Sequence, residues 1–409
     1  MITPPLFWLL MLLSGWSTPE RWNPGGGSPF FPQGMGVNIH FTGDTPGYLD
    51  DLNLLSRAFG LIRMDLNWED AEVEEGVFDF SRWDKLVDEA KRRGVLTILI
   101  LDYGHPLYTA DHSVRGSEER AAFVRFATEA ARHFKGRVAG WEIWNEPNLA
   151  RFWRPQEGVL TEYTLLAQDG ADAIRTEDPE ASLLGPAVYP SEDLGFLKGI
   201  AGEGFLEVPD ILTFHPYRDR GPESVMGLVS QLETFLEEEG FPQMPLAMGE
   251  MGYSILRWDG ERISPTHQAA LMARTYLVGA MMEMPFVIWY DWRNDGINPD
   301  AREENFGTVR NDLTPKPAYR AAKALRSLLG GYEIVDLLDG APEVWALVFS
   351  NGTTTRLVVW SSTSQKTRWM PPFPPSAAWD LFGKPLPPVP PFTVSGEPFF
   401  LEMPPGWHP

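Results

Sequence analysis

Trp141-Glu142-Ile143-Trp144-Asn145-Glu146-Pro147-Asn148 closes a short apolar run that begins at Val138. Such a run ending in a carboxylate reads as a strand that delivers an acid to the rim of a parallel α/β fold. A second run, Pro245-Leu246-Ala247-Met248-Gly249-Glu250, presents Glu250 in the same way. The two glutamates are 104 residues apart. That spacing fits three βα units of about 35 residues, near the ~30 per unit implied by an eight-fold barrel of about 250 residues.

The rest of the chain repeats the pattern. Strand-like runs lie at Met35–His40, Leu61–Leu66, Leu96–Leu101, Val138–Trp144, Leu183–Ala187, Ile211–Phe214, Leu246–Met248 and Phe286–Tyr290. Helices are expected between them at Tyr48–Phe59, Ser81–Arg93, Glu118–Phe134, Thr161–Arg175, Glu192–Ala201, Glu223–Glu239 and Pro265–Met282. An eighth, Pro315–Leu329, ends at Gly330-Gly331. Phe123, Phe126, Ala127, Ala130 and Phe134 fall on one helical face. Eight strands, each followed by a helix, predict a (β/α)8 TIM barrel over residues 34–330. The rival is a doubly wound sheet, which usually has fewer strands and a switch-point crevice. No glycine-rich phosphate loop supports it, because Gly25-Gly26-Gly27 precedes no helix.

After Gly331 the texture changes to short strands between Gly, Pro, Ser and Asn turns, with a hairpin signal at Asn351-Gly352. Residues 331–409 therefore predict a small all-β, sandwich-like module. Its plain role is to cover barrel surface; carbohydrate binding is the alternative.

The chain has 409 residues, 43% of them hydrophobic, which suits a barrel plus one smaller module. A net charge of −22 without a Lys/Arg cluster sets nucleic-acid binding aside. It also argues against a polyanionic substrate unless the site itself is basic. There are no cysteines, so disulfides, thiolate catalysis and Cys-type zinc sites are excluded. Leu6–Leu13 is apolar but too short to span a bilayer, and small residues follow at 15 and 17. Residues 1–17 read as a signal peptide despite lacking a preceding Lys or Arg, which predicts a secreted or cell-envelope protein, with a cytoplasmic one as the alternative. The Pro/Gly-rich stretch 18–33 reads as a linker.

Two carboxyls meeting on a barrel rim are the machinery of glycoside hydrolysis: one donates a proton to the leaving oxygen, the other attacks the anomeric carbon. The surroundings assign the roles. Asn145, beside Glu146, is placed for a sugar 2-hydroxyl. Tyr217 and Arg63 are expected to support an ionised Glu250, and both, with His215 in the Thr-Phe-His-Pro-Tyr stretch, are read as substrate-binding residues. Glu146 is expected to lack such partners, with the Glu250 charge favouring its protonated form. Trp289 is expected as the apolar floor under a sugar, with Trp153, Trp144, Trp68 and Trp292 as further stacking surfaces. His40 and His105 follow strands 1 and 3 and read either as cleft residues or as satisfied core groups. Asp102 and Asp291 read as loop braces, as does Arg293, which is also a possible sugar contact.

Trp-Asn-Glu-Pro-Asn (144–148), His-Pro-Tyr (215–217), Gly-Glu (249–250) and Ile-Trp (288–289) together resemble glycoside hydrolase clan A. Three further stretches look most like family 39 and its relatives, with family 5 next. These are Phe152-Trp153 with Pro155, Tyr290–Gly296 with Asn305-Phe306-Gly307, and Thr314-Pro315-Lys316-Pro317-Ala318-Tyr319. The resemblance implies a retaining hydrolase of β-linked oligo- or polysaccharide, with Glu146 as acid/base and Glu250 as nucleophile. It implies no metal and no organic cofactor. A transglycosylase using the same residues and a non-catalytic carbohydrate-binding barrel are the alternatives.

Overall fold

Eight parallel strands close on themselves: β1 (Met35–Asn38), β2 (Leu61–Asn67), β3 (Leu96–Asp102), β4 (Gly140–Ile143), β5 (Leu183–Val188), β6 (Ile211–Phe214), β7 (Leu246–Met251) and β8 (Val287–Trp289). The computed structural model describes residue 22 and residues 30–338, 342–363 and 365–409. The candidate signal peptide lies outside the described residues. Each strand pairs with its sequence neighbours, and β1 pairs with β8 to seal the barrel.

Side chains alternate across each strand. Leu61, Ile98, Leu184, Ile211, Ala247, Phe286 and Ile288 fill the barrel floor. Their neighbours Ile62, Leu99, Leu183, Leu212, Met248, Val287 and Trp289 face the helix ring. Gly36 belongs to the floor: a Cβ there would lie 2.2 Å from Ile288 Cδ1, so only glycine lets β1 approach β8 this closely.

The helices that form the outer ring, one after each strand, are α1 (Tyr48–Leu55), α2 (Ser81–Arg92), α3 (Gly116–Phe134), α4 (Val159–Glu177), α5 (Gly195–Gly202), α6 (Val225–Glu238), α7 (Pro265–Met281) and α8 (Pro317–Leu329). The predicted α3 stripe is fully buried. Helix α7 starts where Ser264 Oγ accepts from the His267 N–H (3.0 Å) and Pro265 takes the first turn, where no N–H is needed.

Part of the stretch read as a linker is instead packed structure. Trp22 is buried beneath the barrel, 4.9 Å from the Phe286 ring, and Phe31 is buried in the short segment Phe30–Gln33, where its own backbone is extended. The physical reason is apolar area: a Pro/Gly-rich composition does not keep two large aromatics in water.

The C-terminal module is all-β. A six-stranded sheet runs in the order Glu333–Leu337, Val344–Ser350, Thr355–Ser361, Phe399–Glu402, Ala377–Trp379, Pro385–Leu386. Thr367–Trp369 and Phe392–Val394 form a second, two-stranded sheet over one face, closing a core around Ala346, Val348, Leu357, Val359 and Leu401. The opposite face of the large sheet lies on the barrel through Trp345, Leu347, Phe349, Val358, Trp360 and Phe400. Trp360 Nε1 donates to Glu223 Oε1 (2.7 Å), and the Phe349 ring lies 6.0 Å from Phe31.

Candidate active site

A cleft of about 1030 Å³ opens at the C-terminal ends of the strands, the face where barrels carry their chemistry. Glu146 and Glu250 both line it. The chain leaves β4 through two left-handed residues, Trp144 (φ 72°) and Glu146 (φ 46°), a backbone that non-glycine residues rarely adopt. This turn puts Trp144 into the outer core and Glu146 into the cleft. On β7 the pairing with β8 shifts from Met248↔Val287 to Met251↔Trp289, a one-residue bulge. Bulges re-aim side chains, and here Glu250 meets Arg63 at the barrel axis.

Arg63 is the hub of the site. From inside β2 its Nε donates to Glu142 Oε2 (2.6 Å), its Nη1 to Glu250 Oε2 (3.1 Å) and its Nη2 to Asn145 Oδ1 (2.9 Å). Thr213 Oγ1 donates to the other Glu142 oxygen (2.6 Å). A buried guanidinium is tolerated only with such pairing, because an isolated buried charge is costly. Two further donors reach Glu250: Tyr217 Oη to Oε1 (2.5 Å) and Asn38 Nδ2 to Oε2 (2.9 Å). Arg63 also orients Asn145 by its carbonyl oxygen, which turns the amide, beside the Tyr103 hydroxyl, toward the cleft.

Glu146 is buried, and burial pushes its carboxyl up to about 7, against the opposing pull of Arg63 and Arg151. The expectation that the Glu250 charge raises it is replaced by this desolvation. The expectation that Glu146 lacks partners is also corrected: His215 Nδ1 lies 2.9 Å from its Oε1. His215 is fully buried behind Glu146 and does not line the cleft, so it is a partner of the acid and not a sugar contact. Burial holds its imidazole down at about 4, hence neutral at pH 7. Its Nε2 packs against Gly249, where a Cβ would lie 3.3 Å away.

The aromatic assignments need revision. Trp289 is 0% exposed and faces the helix ring, because Phe286 and Ile288 take the inward positions of β8. The next inward residue, Tyr290, lines the cleft in its place. Trp153 is likewise 0% exposed, packed 4.9 Å from Trp144 and 6.1 Å from Tyr163. Trp68, Trp144 and Trp292 are also buried. The aromatic surface offered to a ligand comes instead from Tyr103, Phe152, Tyr290, Phe306 and Trp258. Trp258 is 62% exposed, with the Arg302 guanidinium 3.2 Å from its ring centroid. His40 does line the cleft, its ring 5.6 Å from Tyr290, whereas His105 is core, bonded to Glu72 O (2.9 Å). Arg293 braces its loop against Asp51 (3.2 Å).

Sequence reasoning does not single out Asn38, Glu142 or Tyr290. The signal is present in parity, since Asn38 follows Gly36 by two, Glu142 follows Gly140 by two, and Tyr290 follows Ile288 by two. The overall acidity does not extend into the cleft either. Arg63, Arg151, Arg218, Arg220 and Arg302 face six carboxylates there, so the net charge of −22 is no argument about its ligand.

No family model matches the chain. It is 25% identical over 256 residues to a beta-xylosidase of Caldicellulosiruptor saccharolyticus, covering 56% of this chain and 51% of that protein. It is 28% identical over 127 residues to endo-1,4-beta-xylanase C of Phanerodontia chrysosporium, covering 29% and 31% of the two chains. The chain thus spans about half, or less, of the curated relatives it matches. Among solved structures, a family 39 glycoside hydrolase from the gut symbiont Bacteroides cellulosilyticus WH2 superposes with a TM-score of 0.78 at 25% identity, covering 91% of this chain and 81% of that one. A family 39 beta-xylosidase from Caulobacter crescentus shares the fold, with a TM-score of 0.65 at 17% identity over 92% and 97% of the chains. The resemblance to clan A, and to family 39 and its relatives within it, holds in both sequence and fold.

Proposed function

We propose that this protein is a retaining glycoside hydrolase acting on a β-linked oligo- or polysaccharide, with Glu146 as acid/base and Glu250 as nucleophile. The observation that carries this reading is the contrast between the two carboxyls. Glu250 receives Tyr217, Asn38 and Arg63 on its two oxygens, as suits an anion. Glu146 is buried beside a neutral imidazole and titrates at about 7. Environments that separate two carboxyls in this way define an acid and a base.

In the first step Glu146 gives its proton to the glycosidic oxygen while a Glu250 oxygen attacks the anomeric carbon. The bond to the leaving sugar breaks and a glycosyl ester forms. In the second step Glu146 takes a proton from water, whose oxygen attacks the same carbon and releases Glu250 as carboxylate. Two inversions leave the configuration unchanged. The Asn145 amide is positioned to meet the sugar beside Glu146, and Tyr290 to form part of the apolar wall. The names of the relatives make xylose-based β-glycosides the first substrates to try.

The test uses Glu250→Gly on an activated aryl β-xyloside, beside other aryl β-glycosides and polymeric xylan, glucan and mannan. Turnover should vanish, and azide should restore it as a glycosyl azide of inverted configuration. The role assignment is overturned if only a Glu146 variant yields that product. Proton NMR of the first product anomer from the unaltered enzyme should show retention; inversion rules out the double displacement.

A further inference from the structure

We infer that the small cavity beside the β1–β8 seam is a site for a divalent transition cation of the zinc or manganese type, held by His40, Asp291 and Asp295. His40 follows β1 and the two aspartates follow β8. Because these strands pair, the barrel's closure brings residues some 250 positions apart to one place. One ligand atom from each residue lies within 4.8 Å of the others. The adjoining cavity measures about 110 Å³, with His40, Asp291 and Asp295 among its lining residues, enough for an ion with bound water.

Asp291 supplies the independent sign of a missing partner. It is 1% exposed, and neither carboxylate oxygen has a hydrogen-bond partner among the described residues. Buried polar groups are nearly always satisfied, and an unsatisfied carboxylate is among the costliest exceptions. The nearby cations have other commitments. Lys316 Nζ donates to Asn294 Oδ1 and Asn305 O (3.2 Å each), and Arg293 pairs with Asp51. His40 Nε2 stands 3.8 Å from Asp291 Oδ2, too far for a hydrogen bond.

The donor set selects the ion. One imidazole nitrogen and two carboxylates suit zinc or manganese, whereas calcium and magnesium favour all-oxygen shells. Metal–ligand distances of about 2.0–2.2 Å require the three atoms to close in. His40 and Asp295 are exposed and would turn inward on the buried Asp291 to take the ion. The ion would act as a clasp on the barrel seam. Asn38, two residues before His40, holds Glu250, and Tyr290, next to Asp291, lines the cleft. The ion has no step in glycosyl transfer, so the inference stands or falls apart from the proposed hydrolysis.

The experiment is calorimetric titration of EDTA-treated, dialysed full-length protein with zinc or manganese chloride at pH 7.5, with thermal melting in parallel. The expected result is one ion per chain and a Tm raised by several degrees. His40→Ala and Asp295→Asn, both at exposed positions, should weaken binding about 100-fold or more, beyond the 10–100-fold typical of outer-shell changes. Circular dichroism would verify that both variants are folded. The proposal is overturned if the unaltered protein binds no ion, or if both variants bind as tightly as it does. Tighter binding of calcium than of zinc overturns the assigned class of cation.

Discussion

Glu146 and His215 share one hydrogen bond but are shifted in opposite directions, and both shifts come from burial. The carboxyl rises to about 7 and the imidazole falls to about 4, so at neutral pH the proton belongs to the glutamate. Catalysis that begins with protonated Glu146 should therefore decline as pH rises through about 7, read as a basic limb in kcat/KM. Glu146→Gln should lower kcat for poor leaving groups by ~10²–10⁴ and remove that limb with a dinitrophenyl glycoside, which needs no acid. The linkage sign follows from the same shift. The folded chain holds a proton that the unfolded chain releases above its ordinary carboxyl range. Glu146 thus costs stability progressively as pH rises from about 4.5 to about 7. The two glutamates are legible from their motifs. Glu142 is not, because its importance lies in neutralising Arg63, and that contact spans 79 residues.

Strand β8 shows what alternation decides. All eight strands are legible as apolar runs, and observed bounds differ from the expected ones by a few residues at the ends. The run alone does not say which face points inward, so side-chain type favours Trp289 over Tyr290. Closure gives the floor to Phe286 and Ile288 and the cleft to Tyr290, leaving Trp289 among the helices. The two positions should separate in mutagenesis. Tyr290→Ala should raise KM with little loss of stability, whereas Trp289→Ala should cost about 3–5 kcal/mol in chemical denaturation. A raised KM for the folded Trp289 variant alone would reverse the assignment. The β7 bulge at Glu250 is a similar case: Gly249 marks the run as able to bulge, but pairing with β8 decides that it does.

Across the whole molecule, the C-terminal module works as part of the barrel's packing. Its large sheet is apolar on both faces, one closed by the two-stranded sheet and the other by the barrel. A chain ending at Gly330 would leave Phe31 and the outer surface of α8 uncovered. Its Tm should fall by ~10 °C or more, at about 2–4 °C per kcal/mol for a barrel of this size, with increased binding of a hydrophobic dye. An unchanged Tm would make the module an independent appendage. Charge also differs between the whole and the part: the chain carries −22, yet five arginines line the cleft. A sum over the surface says little about one concave site, where local pairing dominates.

The strand and helix count, the buried stripe of α3 and the placement of Glu146 and Glu250 at strand ends follow from neighbours a few residues apart. Hydrophobic periodicity is local, so it can be read along the chain. The partners of those glutamates are not local. His215 reaches Glu146 across 69 residues, Arg63 reaches Glu250 across 187, and Asn38 reaches it across 212. Only closure of the barrel brings them together, and the same closure sends Trp289 into the core, while Trp153 is buried by its packing on Trp144 and Tyr163. A side chain's type limits what it can bind, but the face on which it emerges decides whether it meets a ligand.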